Sequence, residues 1–249
     1  MPKYRYLQTA TVPYYQPHGN GKVTVDLRKY FGPVYFQGDL GACSAFAATA
    51  WYAAWRVKHG HKWVEYSELA QYYEERKLEG TIFQDSGATI WDAVQVLATY
   101  GVMPEQDDPY HPSDFTNPPP EQDFIPGSQL PLNLVRRLPL SRLVDYAMDA
   151  LSNDMPILFG ATVFSELESQ EVAETGYLSM PAPYEQPIGG HAMVAVGMDV
   201  GKRLFLIRNS WGADWGIGGY FWMPFEYWQD FVSEAYVIDD LAFASTQAS

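Results

Sequence analysis

Three side chains in this sequence can together break an acyl bond. Cys43 lies in Gln37-Gly38-Asp39-Leu40-Gly41-Ala42-Cys43-Ser44-Ala45-Phe46-Ala47, His191 in Gly190-His191-Ala192, and Asn209 in Arg208-Asn209-Ser210-Trp211-Gly212. A thiol supplies a nucleophile, an imidazole moves its proton, and a side-chain amide orients the imidazole. Cys43 is the only cysteine of the 249 residues, so no internal disulfide explains it. A lone thiol packed as a small hydrophobe is the alternative, and the imidazole and amide downstream argue against it. An ordinary thiol, of pKa roughly 8.5, is only a few per cent ionised at neutral pH. Helix-end N–H groups and an imidazolium partner would both favour the thiolate. Asn209 would fix the tautomer of His191, and Trp211 would shield their hydrogen bond from water.

These groups need elements to hold them. Residues 43–59 are Ala-rich and apolar almost all round, the pattern of a buried helix starting at Cys43 and stopped by Gly60. Ser67 is placed to cap a second helix that ends before Gly80. Residues 89–100 form a third, with Ile90, Ala93, Val94 and Leu97 on one face, and Ser141 is placed to cap a fourth through Leu151. The pattern then changes to strands at about 156–163, 192–198, 203–208, 219–223 and 235–238. Helices followed by strands predict an α+β fold with two lobes. Between them, residues 102–140 hold nine of the 18 prolines, which predicts an irregular connection.

The bulk properties exclude several function classes. Net charge is −14, which opposes nucleic-acid binding, since phosphate contacts need Lys and Arg. No stretch approaches the roughly 20 apolar residues of a membrane span, and the first 25 residues hold no apolar run fit for a signal peptide. A soluble, monomeric protein in the cytoplasm, or one delivered without a leader, is the expectation. His18, His59, His61 and His111 have no Cys or carboxylate at ligand spacing, and residues 38–41 lack the tail of a phosphate loop. No metal or cofactor is expected.

The residues around Cys43 resemble the nucleophile segment of the papain-like cysteine peptidases. Four further segments carry the resemblance. Asn209-Ser210-Trp211-Gly212-Ala213-Asp214-Trp215-Gly216-Ile217-Gly218-Gly219-Tyr220 is similar to that family's Asn block. Gly87-Ala88 and Ala98-Thr99-Tyr100-Gly101 resemble its cleft wall, and Val25-Asp26-Leu27-Arg28 the start of its mature domain. His191 and Asn209 follow Cys43 by 148 and 166 residues, the first inside the usual window and the second slightly beyond it. The resemblance runs from about residue 23 to 240. It implies a helical lobe over about 30–135, a β-barrel-like lobe over about 136–240, and a cleft between them. It leaves an extension at 1–22 and a tail at 241–249.

The resemblance also implies roles. Gln37, six residues before the nucleophile, would form the oxyanion hole with the Cys43 N–H. Gly87, Ala88, Gly190 and Trp211 would meet the substrate, a peptide or protein. Small residues there and at Gly160 suggest a roomy pocket for an apolar side chain. Two departures stand out. Leu40 replaces a disulfide cysteine, which fits a one-Cys chain of prokaryotic or viral type. Ser44 replaces the aromatic that usually follows the nucleophile. A peptidase is the expected activity; an acyl transferase or ligase on the same site, or an idle binding module, are the alternatives. The extension, with Tyr4, Tyr6, Tyr14 and Tyr15 among Pro2, Pro13 and Pro17, reads as an extended strap on the outside of the β-rich lobe or one that reaches the cleft.

Overall fold

The architecture is that of a computed structural model, which describes residues 12–241. Three helices come first: α1 (Cys43–Lys58), α2 (Glu68–Glu79) and α3 (Ile90–Thr99). Eleven residues of α1 are buried, six of them alanines between Ala45 and Ala54, so neighbouring elements approach its axis closely. The Trp51 indole N–H donates to the Pro156 carbonyl at 3.0 Å and ties α1 to the following half of the chain. Ser67 caps α2 by accepting from the Ala70 N–H, and Thr89 caps α3 by accepting from Asp92. Gly80, at φ 76°, ends α2 in the left-handed region that disfavours side chains.

The strands are β1 (Thr24–Asp26), β2 (Val135–Arg137), β3 (Ile157–Phe164), β4 (Pro187–Asp199), β5 (Leu204–Arg208), β6 (Tyr220–Pro224) and β7 (Val232–Ile238). They form one antiparallel sheet in the order β2-β7-β3-β4-β5-β6, with β1 added beside β4. The order is open, with β2 and β6 at its ends. Both faces are covered, as alternation along β4 shows. Ala192, Val194 and Val196 join the core with Trp51 and Trp91 of α1 and α3. Met193 and Ala195 join the opposite core with α4 (Leu143–Ser152) and α6 (Phe225–Phe231). A six-residue α5 (Gln170–Thr175) completes the helices.

Several sequence expectations need correction. Ser141 does not cap α4: it lies within a single 3-10 turn, and the cap position falls to Arg142 with no side-chain bond. β4 starts five residues before Ala192, because pairing with β3 extends it through Gly189 and Gly190, where sequence pattern gives no strand signal. Strands β1 and β2 are three residues each, too short for a period to register. The Pro-rich connection contains only single 3-10 turns before β2.

The strap, as far as it is described, packs on β2 and α4. Tyr15 is fully buried, and its N–H and the Pro13 carbonyl bond to the Arg137 backbone. Asp149 of α4 accepts from the Tyr15 hydroxyl at 2.7 Å and from the backbone of His18 and Gly19 at 2.8 and 2.7 Å. Tyr4, Tyr6 and Pro2, and most of the 241–249 tail, lie outside the described residues.

Candidate active site

Cys43 is the first residue of α1, so the free amides of the first helical turn surround its thiol. Burial pushes the Cys43 thiol up; the backbone N–H groups of Ala192 and Ser44 favour the thiolate but are outweighed, and Asp85 adds to the rise. Two clamps fix the loop that delivers it. Tyr72 on α2 donates to Asp85 at 2.5 Å, and Asp85 accepts from the Gly41 N–H at 3.0 Å. The Tyr72 hydroxyl also accepts from the Gly87 N–H at 3.1 Å, so both sides of the cleft wall share one anchor. Gly38, at φ 65°, makes the turn in this loop.

His191 stands on β4, opposite Ala161 of β3, and is buried. Its Nε2 lies 2.8 Å from Asn209 Oδ1. The same oxygen accepts from the Ser210 N–H at 2.9 Å, which fixes the orientation of the amide. Facing an acceptor, Nε2 must carry the proton, and Nδ1 is left for the cleft. Burial depresses the imidazole below its usual range, and the Asn209 bond partly restores it. Trp211 stacks on His191 with centroids 5.2 Å apart and planes at 27°, and Trp215 packs edge-on against Trp211 at 5.1 Å. The Asn209 Nδ2 is buried without a partner.

Burial thus works against charge on both Cys43 and His191. An opposed ion pair at about 4 Å, with an effective dielectric near 20, gains about 4 kcal/mol, or roughly three pH units. That attraction, with the helix end, is what a charged pair would depend on.

Gln37 is buried and pinned at both ends. Its N–H donates to the Ser210 carbonyl at 2.9 Å, its Oε1 accepts from Ser210 Oγ at 2.5 Å, and its Nε2 donates to the Leu40 carbonyl at 2.9 Å. One amide hydrogen therefore remains for an oxyanion. Arg208 holds the segment that leads to Gln37, donating to the carbonyls of Gly32, at 3.0 Å, and Pro33. The chain between Gly32 and Cys43 is thereby fastened to β5 and to the Asn209 loop.

A cleft of about 620 Å³ brings Cys43, His191, Gly87, Ala88 and Gly190 together. Asn209, Gln37 and Trp211 lie behind its surface and act on it through their bonds and stacking. A Cβ on Gly190 would meet nothing within 4 Å, whereas one on Gly160 would stand 3.2 Å from Ile90 and 3.7 Å from Glu234. The sequence expectation of a roomy pocket for an apolar side chain takes no account of carboxylates in the walls. Glu79, Asp85 and Glu234 also line the cleft, without a Lys or Arg. Nothing in their local sequence marks them, because α2, a loop and β7 are brought together only by folding. Among the described residues, no group of three His, Cys, Asp or Glu side chains gathers as a metal site.

Comparison with known proteins agrees with this geometry. A model of the papain family cysteine proteases matches residues 22–229. A peptidase C1-like protein of Acanthamoeba polyphaga mimivirus is 36% identical over 214 residues, covering 82% of this chain and 69% of the viral one. A cathepsin B-like protein of Giardia intestinalis is 30% identical over 74% of this chain and 62% of its own length. The crystal structure of xylellain, a cysteine protease from Xylella fastidiosa, superposes with a TM-score of 0.82 at 29% identity, over 94% of this chain and 93% of that one. With the thiol at a helix start, the imidazole on the facing sheet and a family match across most of the sequence, this chain belongs to the papain family of cysteine proteases.

Proposed function

We propose that the chain hydrolyses peptide bonds through a covalent thioester at Cys43. The Cys43 thiolate, formed as Nδ1 of His191 takes its proton, adds to the substrate carbonyl carbon. The developing oxyanion accepts from the Cys43 N–H and from the remaining amide hydrogen of Gln37; such a donor contributes about 3–4 kcal/mol. His191 returns the proton to the leaving nitrogen, the C–N bond breaks, and the acyl group stays on sulfur. Water, deprotonated by His191, then adds to the thioester and expels the thiolate.

The observation that carries this reading is the buried His191–Asn209 bond beneath the Trp211 ring, which leaves Nδ1 for the cleft that Cys43 lines. A cysteine kept only for packing would not need an imidazole held in one tautomer. Peptide is the substrate class that the cleft walls accommodate, with the glycines leaving room for side chains. The test is cleavage of a fluorogenic peptide library by the purified chain and by Cys43→Ala. The wild type is expected to cleave and the variant, equally folded, to show none. Retained cleavage in the variant, or none in an alkylatable wild type, overturns the proposal.

A further inference from the structure

Directly behind the nucleophile lies a buried polar cluster that the proposed mechanism does not use. Ser44, the residue after Cys43, is fully buried with its hydroxyl turned into the helical layer. It donates to Glu75 Oε2 at 2.5 Å. The other oxygen, Oε1, accepts from Gln71 Nε2 at 2.8 Å, and the same amide donates to the Ala93 carbonyl of α3 at 3.0 Å. One carboxyl group thus joins the first turn of α1 to the middle of α2 and, through Gln71, to α3. Polar groups are placed in a core like this only when each is bonded, and here both carboxyl oxygens are.

Among the described residues, no cation forms an ion pair with Glu75. Arg76, its neighbour on α2, turns away and donates to the carbonyls of Ile82, Gln84 and Phe115. Cys43 from α1 and Asp92 from α3 oppose its charge, while Arg76, without bonding to it, interacts with it favourably at longer range. Burial pushes the group up to about 8 and outweighs the Ser44 donor from α1 and the Gln71 donor on α2, which favour the carboxylate. Asp92 is itself engaged by Thr89 and Gln95, and Glu79 lies beside it at the cleft.

We propose that Glu75 is a positioning residue for the nucleophile: through Ser44 it anchors the turn that carries Cys43, and its charge state tunes how readily Cys43 reacts. While neutral, the carboxyl holds the turn at no electrostatic penalty to the thiolate. Once ionised, it sets a like charge behind the sulfur in a site of low dielectric, and the thiolate becomes harder to form. The device depends on Ser44, whose short side chain puts a hydroxyl within reach of Glu75. The inference rests on Cys43 being the nucleophile, but its test does not need peptide cleavage.

The test follows alkylation of Cys43 by iodoacetamide, read by intact mass, at pH 6.5 and pH 9. The full chain is compared with Glu75→Gln, which stays neutral and can still accept from Ser44. Equal rates are expected at pH 6.5, and labelling at least threefold faster in Glu75→Gln at pH 9. A ratio that is the same at both pH values, as a purely structural role would give, overturns the proposal, as does a faster wild type at pH 9. Ser44→Ala serves if Glu75→Gln fails to fold. Removing the hydroxyl frees the turn at both pH values and keeps the carboxyl neutral to higher pH, so the ratio of Ser44→Ala to wild-type labelling should rise between pH 6.5 and pH 9. Loss of peptide cleavage with the labelling pattern intact would refute the peptidase reading and leave this one standing.

Discussion

Replacing Asn209 by alanine separates orientation from proton transfer. The Asn209 Oδ1 is the partner within hydrogen-bond distance of His191 Nε2, at 2.8 Å and buried. When the imidazole carries a second proton, this is a bond to a charged donor, which contributes about 1.5–3 kcal/mol. Its loss should lower kcat/KM by about 10- to 150-fold. The effect on pH dependence has a definite sign. Burial depresses the His191 imidazole and Asn209 raises it, so Asn209→Ala lowers it further. The imidazolium then disappears at lower pH, and the alkaline limb of the rate profile should move down. His191→Ala removes the proton carrier itself and should be worse by a further factor of about 10 or more. The assay is kcat/KM of both variants and wild type from pH 5 to 9, with circular dichroism as the check on folding. Equal losses in two folded variants, or an alkaline limb that does not move in Asn209→Ala, would refute this division of roles.

Deleting residues 1–22 should destabilise the chain, because it removes the buried Tyr15 ring and three donors to Asp149. A loss of about 3 kcal/mol corresponds to a melting temperature roughly 6–12 °C lower by calorimetry; an unchanged value would mean that the strap contributes nothing. Gly160→Val places branches against Ile90 and Glu234, so cleavage of peptides with bulky side chains should fall far more than that of peptides with small ones. Glu75, raised from 4.5 to about 8, contributes stability that is full below pH 4.5 and lost as pH rises to about 8. The difference is on the order of 5 kcal/mol. Buried His191, depressed from 6.5, contributes stability that is lost as pH falls below that value. Thermal melts from pH 5 to 9 should therefore decline between about pH 6.5 and 8, and Glu75→Gln should flatten that decline.

Much of the chemistry was legible in the chain because it is carried by residue type at fixed spacing. Cys43 at the head of an Ala-rich run and Asn209-Ser210-Trp211-Gly212 after a strand mark a thiol, an amide and an aromatic ring in the sequence itself. The long helices were legible for a related reason. Ser67, Thr89 and Gly80 act within a few residues of themselves, so their capping bonds do not wait for the rest of the molecule. Ser141 fails as a cap because a capping residue must directly precede the helix, and the non-α-helical Arg142 stands between it and Leu143.

What the tertiary structure decided is everything that depends on distant segments meeting. The pinning of Gln37 by Ser210 and the fastening of Gly32 and Pro33 by Arg208 join segments more than 170 residues apart. The carboxylates in the cleft come from α2, the loop at Asp85 and β7, and the cluster behind Cys43 joins three helices. A carboxylate reads in sequence as a solvated surface group, because water is its default partner. Only packing removes that water, and with it gone Glu75 becomes a group whose charge bears on the nucleophile.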